Sequence, residues 1–541
     1  MSVAEKLTEL AERVILLEGW KASLLALVAG AISALSLAPY HVFPLLFFTF
    51  PILVWLLEGS VPSLNKRGKS GFFRRIWPAF KTGWLFGFGY FLAGLWWIGK
   101  AFLVDADEFI YLLPFAVVAL PAGLAIFWGL AGVFTRAIWS HGWTRLLSLA
   151  VCLTAMEYLR GNILSGFPWN LPGYAFMPSP LFMQTANLIG VYGVTFITVL
   201  IAATAGIFIP GPDGPAIHVR RALMTAIFLA LGHIGYGAFV LTTADTKNVP
   251  DIKLRIVQPA IDQSKKWEPE YAVPIMENYM DLTKSNKGPA AASAASFSHI
   301  IWPESVFPFI LTERRDVLAQ LADLLPGDTK LITGAMRFER GSNKTFNAMS
   351  VINGNGEIIA SYDKLHLVPF GEYLPFQNLL ESMGLQQLTQ RGAFSPGTRR
   401  KNITVPATPS FLPLICYEII FSGALSPDHK RPKWIVNLTN DAWFGLTAGP
   451  YQHAHQTRIR AVEEGVPVAR AANTGISMVV DPYGRVVESL ELGQSGTVDS
   501  PLPEARSITI FAQFGNLPSL VFICTLFLIL IGIRKSNTNR L

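Results

Sequence analysis

Phe411-Leu-Pro-Leu-Ile-Cys416-Tyr-Glu-Ile-Ile420 reads as a buried β-strand that ends in a thiol. The run is short, apolar and continuous, the pattern of a strand covered on both faces. It lies in a stretch of soluble character, about 245–510, held between long apolar segments. A nucleophilic thiol working at a membrane surface follows from that placement. The chain has only three cysteines. The other two, Cys152 and Cys524, lie in apolar stretches where a free cysteine acts as a small hydrophobe. No disulfide framework or CxxC metal pair is available.

The flanking segments are of membrane type. The chain is 51% hydrophobic and 15% charged, with a mean hydropathy of +0.38, too few charges for an ordinary soluble protein. A bilayer-spanning helix needs about 20 apolar residues. Stretches near that length lie at 22–39, 43–58, 82–99, 109–134, 146–159, 187–209, 222–242 and 517–533. About eight spans are therefore expected, with the second and fifth fitting the length criterion least well. The acidic residues Glu5, Glu9, Glu12 and Glu18 before the first stretch argue for a retained helix rather than a signal peptide.

Basic residues set the expected orientation. Lys6, Arg13 and Lys21 precede the first span, and Lys66, Arg67, Lys69, Arg74, Arg75 and Lys81 fill the 59–81 loop. Arg136 and Arg145, Arg220 and Arg221, and Arg534, Lys535 and Arg540 follow on alternate loops. The positive-inside rule puts these loops in the cytoplasm, and seven spans before the soluble block put that block outside it. The expected domains are a transmembrane part at 1–244, a catalytic part at 245–510, and a last helix with its cytoplasmic tail at 511–541. The formal charge of +7 is largely this inside-facing set and calls for no nucleic-acid partner.

From Asp251 the pattern changes to short β-type segments, amphipathic stretches and turns. Ile252 to Val257 reads as a strand, Glu268 to Leu282 as a helix, Lys287 to Ser298 as a small-residue surface loop, and His299 to Trp302 as a strand. Asn-Gly-Asn-Gly at 353–356 and Asp-Pro-Tyr-Gly at 481–484 signal two hairpins. Strands alternating with helices argue for a layered α/β architecture.

Three polar residues end three apolar strands: Glu304 after Ile-Ile-Trp-Pro, Lys364 after Ala-Ser-Tyr-Asp, and Cys416. Strand ends are where an α/β domain assembles a site from residues far apart in sequence. A thiol needs a proton acceptor and a nearby cation to become a useful nucleophile. Glu304 is suited to the first task and Lys364 to the second, by stabilising thiolate and tetrahedral oxyanion.

These residues resemble the catalytic Glu, Lys and Cys of the nitrilase superfamily, and the fuller resemblance is to its membrane-bound branch, the apolipoprotein N-acyltransferases. It rests on Gly-Phe-Pro-Trp-Asn at 166–170, Trp-Pro-Glu-Ser at 302–305, Tyr-Asp-Lys-Leu-His-Leu-Val-Pro-Phe-Gly-Glu-Tyr at 362–373, Ile-Cys-Tyr-Glu at 415–418, Asn-Asp-Ala-Trp-Phe-Gly at 440–445, Gly-Pro-Tyr-Gln-His at 449–453 and the last span. The resemblance implies a multispan helical membrane domain joined to a nitrilase-like αββα sandwich. It implies that an acyl chain passes from a phospholipid donor to a thioester on Cys416. The chain then passes to the α-amino group of the S-diacylglyceryl-cysteine that begins an apolipoprotein. It implies an inner-membrane protein with its catalytic domain in the periplasm, and no cofactor or metal. It further implies supporting roles for Trp267, Glu372, Tyr417 and Glu418: Glu372 tuning Lys364 or orienting the amine, the Tyr417 N–H completing an oxyanion hole, and Trp267 facing lipid.

Blander readings stand beside these. A cysteine in an apolar strand is by itself a packing residue, Glu304 fits a helix cap after Pro303, and Lys364 fits a solvated strand end. Glu372 and Glu418 also fit ion-pair partners only. His453 and His455 are two apart, so on a helix they point to different faces, which is the wrong spacing for zinc. His366 is an alternative partner for a Cys-His pair, and Trp96 and Trp97 read as lipid-facing or packing residues. Two other functions compete: a membrane-tethered nitrilase-type amidase acting on a small carbon-nitrogen substrate, and a transporter with an appended domain. Eight spans are excessive as an anchor for the first, and the spans hold too few ionisable residues for the second.

Overall fold

A computed structural model of the chain describes residues 3–61, 71–104, 106–140, 142–209, 215–285, 296–382, 394–423 and 430–538. Two compact units emerge: Met1–Trp96 with Pro114–Thr242 and Phe514–Leu541, and Trp97–Leu113 with Thr243–Gln513.

The first unit is helical. Among the described residues six helices are long and apolar enough to cross a membrane: Gly19–Ser36, Phe72–Leu103, Ile110–Ala137, Ala186–Ile207, Ile217–Thr242 and Leu517–Ser536. The remaining two expected spans differ in kind. Phe43–Glu58 is a shorter apolar helix. Thr144–Asn162 carries Arg145, Glu157 and Arg160, all buried. Glu157 accepts from Arg160 (2.6 and 2.9 Å) and from the Trp128 indole (2.7 Å). Arg160 in turn donates to the Phe167 and Trp169 carbonyls, so a buried ion pair ties down the Gly-Phe-Pro-Trp-Asn loop. Helix packing here depends on small residues. A Cβ on Gly30 would lie 1.9 Å from the Phe86 carbonyl oxygen, and one on Gly89 would lie 2.0 Å from that of Leu27.

The second unit is built on eleven strands: β1 (Asn248–Gln258), β2 (His299–Ile301), β3 (Lys330–Glu339), β4 (Lys344–Ile352), β5 (Ile358–Asp363), β6 (Phe411–Ile415), β7 (Trp434–Thr439), β8 (Val468–Ala472), β9 (Ser477–Val480), β10 (Val486–Leu490) and β11 (Gly496–Pro503). They form one sheet in the order β11-β1-β2-β3-β4-β5 and another in the order β10-β9-β8-β7-β6. Each contains a parallel run, β1-β2-β3 within the first and β8-β7-β6 reaching one edge of the second.

Alternation along the strands sorts residues onto two faces. Ile256, Ile301 and Ile332 join Phe411, Ile415, Val436 and Ala469 in a core between the sheets. Their neighbours Val257, Ile300 and Leu331 face outward, against Tyr279 of the helix Ala272–Lys284 and Leu321 of the helix Arg315–Leu324. The helix Ala448–Glu464, almost wholly buried, lies against β8 and the turn after β6. The result is an αββα sandwich. Both expected hairpins form, β4 with β5 and β9 with β10. The small-residue loop expected at 287–298 falls mostly outside the described residues.

Candidate active site

Cys416 ends β6 with φ +49°, a left-handed conformation strained for any residue but glycine. A single 3₁₀ turn, Cys416–Ile420, follows. The thiol therefore stands just beyond the carboxyl end of a parallel strand, the end at which α/β sheets bind their ligands.

The three residues singled out from the sequence sit together. Lys364, just past β5, is buried and puts its ammonium 3.4 Å from a Glu304 carboxylate oxygen and 3.0 Å from one of Glu372. Glu304, in the turn after β2, is not a helix cap: no helix begins at 302–310. Asn347, from β4, splits its amide hydrogens between the two carboxylates, 2.7 Å to Glu304 and 2.8 Å to Glu372. Glu372 also accepts from the Val368 backbone N–H at 2.8 Å. Burial opposes the Lys364 charge, but Glu372, Glu304 and Cys416 together outweigh it and hold its pKa above the ordinary lysine range.

The thiol is affected in the opposite sense. Burial, the Glu304 charge and the Asp441 charge push the Cys416 pKa well up, while Lys364 and a hydrogen bond with Thr439 pull it back. These influences together favour the protonated form of the thiol, with the Glu304 charge among them.

Glu418 belongs to the frame. Fully buried, it accepts from the Ile415 N–H at 2.8 Å, from the Leu365 and His366 N–H groups at 3.1 and 3.2 Å, from the Tyr362 hydroxyl at 2.8 Å and from Arg400 at 3.3 Å. One carboxylate thus clamps the strand end before Cys416 to the segment after Lys364. Tyr417 is buried, its ring centroid 5.6 Å from His366. His366 packs against Phe421 with tilted rings, centroids 4.0 Å apart. Trp267 is half-buried beneath the Lys266 ammonium, 5.7 Å from its ring centre.

Sequence reasoning missed several groups. Asn347 lies mid-strand among ordinary residues and carries no motif signal. Lys266, the residue before Trp267, is buried and donates to the Glu304 carbonyl at 3.1 Å. His453, weighed only as a metal ligand, has Nε2 3.2 Å from the Cys416 carbonyl oxygen and Nδ1 2.9 Å from Asp441. Asp441 is paired in turn with Arg470 of β8, and His453 and Arg470 hold its carboxyl below the usual range against the cost of burial. Trp97 packs over the same helix: its ring lies 4.5 Å from Phe444 and its indole N–H donates to Gln452 at 3.2 Å. Trp96 is about half exposed. Among the described residues no cluster of His, Cys, Asp and Glu could hold a metal.

An αββα sandwich with Glu, Lys and Cys gathered at its parallel strand ends, in one chain with membrane-length helices, defines a membrane protein with a carbon-nitrogen hydrolase domain. The sequence profile of carbon-nitrogen hydrolases matches residues 253–507, and that of the apolipoprotein N-acyltransferase N-terminal domain matches residues 29–204. Apolipoprotein N-acyltransferase of Rhodopseudomonas palustris is 44% identical over 539 residues, 98% of each chain, and that of Bradyrhizobium diazoefficiens is 46% identical over the full length of both. Among solved structures, an amidase of the nitrilase superfamily from Nesterenkonia sp. AN1 aligns at 16% identity with a TM-score of 0.35, covering 50% of this chain and 96% of its own. The chain belongs to the apolipoprotein N-acyltransferase family.

Proposed function

We propose that the protein N-acylates apolipoproteins, moving an acyl chain from a membrane phospholipid through a thioester on Cys416 to the α-amino group of the diacylated N-terminal cysteine. The observation that carries this reading is Lys364 bonded to both Glu304 and Glu372 beside Cys416, in a chain related along its whole length to apolipoprotein N-acyltransferases.

In the first half-reaction the thiol proton passes to Glu304 as sulfur attacks the ester carbonyl carbon. Lys364 and the Tyr417 N–H stabilise the oxyanion. The ester C–O bond then breaks, and Glu304 returns the proton to the departing lysophospholipid oxygen. In the second half-reaction the acceptor amine, having lost its extra proton to solvent, attacks the thioester carbon. Glu304 takes one of the two protons left on the nitrogen, the C–S bond breaks, and Glu304 passes that proton to the departing sulfur, leaving an amide N–H and the free thiol. Splitting the transfer through a thioester replaces one difficult step by two easier ones. A membrane-held nucleophile gains effective concentration toward two substrates confined to the same surface. Glu372 orients Lys364, Glu418 holds the frame, and Trp267 meets lipid.

The lysine and arginine distribution supports an inner-membrane protein with residues 245–510 on the periplasmic side. The test uses phospholipid labelled in its acyl chain. Wild-type protein should acquire a hydroxylamine-labile label and lose it to a diacylated acceptor peptide. Cys416→Ser should acquire none, and Glu304→Gln should be slow in both halves. A labile adduct that survived in Cys416→Ser would sink the assignment of the nucleophile.

A further inference from the structure

Glu304, Glu372 and Lys364 are all buried, and the single lysine touches both carboxylates. Those three alone leave a net negative charge beside a thiol that must shed a proton and build an oxyanion. Negative charge in a poorly solvated site opposes both events. A second cation is on hand. Lys266, from the loop after β1, is buried with its ammonium 3.1 Å from the Glu304 carbonyl oxygen. An ammonium carries three donors, and this is its one hydrogen bond among the described residues.

The backbone it grips is tightly constrained. Ser305 follows at φ +52°, and a Cβ on Gly334 would lie 2.6 Å from the Glu304 Cα. The other charged groups facing the site are accounted for. Lys364 and Glu372 come from the segment after β5, Cys416 follows β6, and Asp441, after β7, is paired with Arg470 and His453. Burial pulls the Lys266 amine down to about 8 while the Glu304 charge resists, which fits an ammonium whose charge depends on that carboxylate.

We propose that Lys266 is a positioning residue of the transfer reaction: its buried ammonium completes the charge balance of Glu304, Glu372 and Lys364 and holds the Glu304 backbone in place. This rests on the reading of Glu304 as proton carrier to Cys416.

Two variants separate charge from hydrogen bonding. Lys266→Gln keeps a donor for the Glu304 carbonyl and loses the charge, whereas Lys266→Arg keeps both. The readout is the pH profile of single-turnover acyl-enzyme formation from labelled phospholipid, with thermal unfolding in the same detergent as a control. Removing a cation from a buried cluster of net negative charge makes that cluster easier to protonate. In Lys266→Gln the acid limb should therefore move up by about one pH unit, a roughly tenfold loss at the acid end, while Lys266→Arg stays close to wild type.

An unmoved limb in Lys266→Gln would overturn the proposal, as would equal shifts in both variants. Failure of both to fold would overturn it too, assigning Lys266 to the scaffold. If wild-type protein forms no hydroxylamine-labile adduct on Cys416, the catalytic reading itself fails, an outcome distinct from these.

Discussion

Replacing Lys364 by Met tests whether that lysine performs chemistry or only neutralises its neighbours. Its ammonium lies 3.4 Å from Glu304 and 3.0 Å from Glu372. At an effective dielectric of about 20, each contact amounts to roughly 5 kcal/mol of Coulomb attraction, before the cost of desolvation. Deleting one partner of a buried pair usually costs about 3–5 kcal/mol, because the other charge is left uncompensated. Lys364→Met should therefore melt well below wild type and also lose roughly 10²–10³-fold in acyl-enzyme formation, as when an oxyanion donor is removed. The double variant Lys364→Met with Glu372→Gln removes one stranded carboxylate and should recover more than half of the lost stability. Its rate should stay low, because the cation proposed to stabilise the oxyanion is gone. The assay is single-turnover labelling of Cys416 beside detergent melting curves. Recovery of the rate to within about tenfold of wild type in the double variant would refute the reasoning, since a neutralised carboxylate would then have replaced the lysine.

Because burial and Glu304 raise the Cys416 pKa, alkylation of Cys416 by iodoacetamide should still be rising where a free cysteine, with a pKa of about 8.5, has levelled off. For the same group the folded state holds a proton that the unfolded chain releases. Its stabilising contribution is thus complete below about pH 8.5 and declines as pH rises further; Cys416→Ala should flatten that decline in denaturant titrations. Glu418→Gln keeps the shape of a fivefold acceptor but leaves Arg400 unbalanced, so about 2–4 kcal/mol of stability should go together with activity; a variant as stable as wild type yet inactive would mean that Glu418 acts on substrate directly. A cysteine engineered within 287–298 should react with an impermeant maleimide from outside spheroplasts, and labelling only after lysis would reverse the orientation.

Hydropathy alone located the membrane helices, because lipid demands a long apolar run and the demand is local. Alternation and turn residues located the strands for the same reason: Ile252 to Val257 falls inside β1, and the Asn-Gly-Asn-Gly turn joins β4 to β5. The span count was less legible. The helix Thr144–Asn162 hides Glu157 and Arg160 in its interior, and their mutual neutralisation is invisible to a residue-by-residue hydropathy sum.

Glu304, Lys364 and Cys416 were readable because each ends an apolar strand inside a recognisable motif. The groups that make them a site were not. Asn347 meets Glu304 and Glu372 only because β4 pairs with β5 and lies in one sheet with β2. Glu418 is a near neighbour of Cys416 in sequence, yet besides the Ile415 N–H its bonds run to residues 362, 365, 366 and 400. Lys266 sits beside Trp267 in sequence and at the Glu304 carbonyl in space. His453 changed from a poor metal ligand to a partner of the Cys416 carbonyl once the helix Ala448–Glu464 was laid against the turn after β6. The sequence by itself determined which segments are long and apolar enough to enter lipid, which form strands and which three polar residues stand at strand ends, all of them properties of local pattern. Only the tertiary structure decided which charges face one another and what holds them, because a buried carboxylate takes its partners across strand pairs and loop crossings that no local pattern encodes.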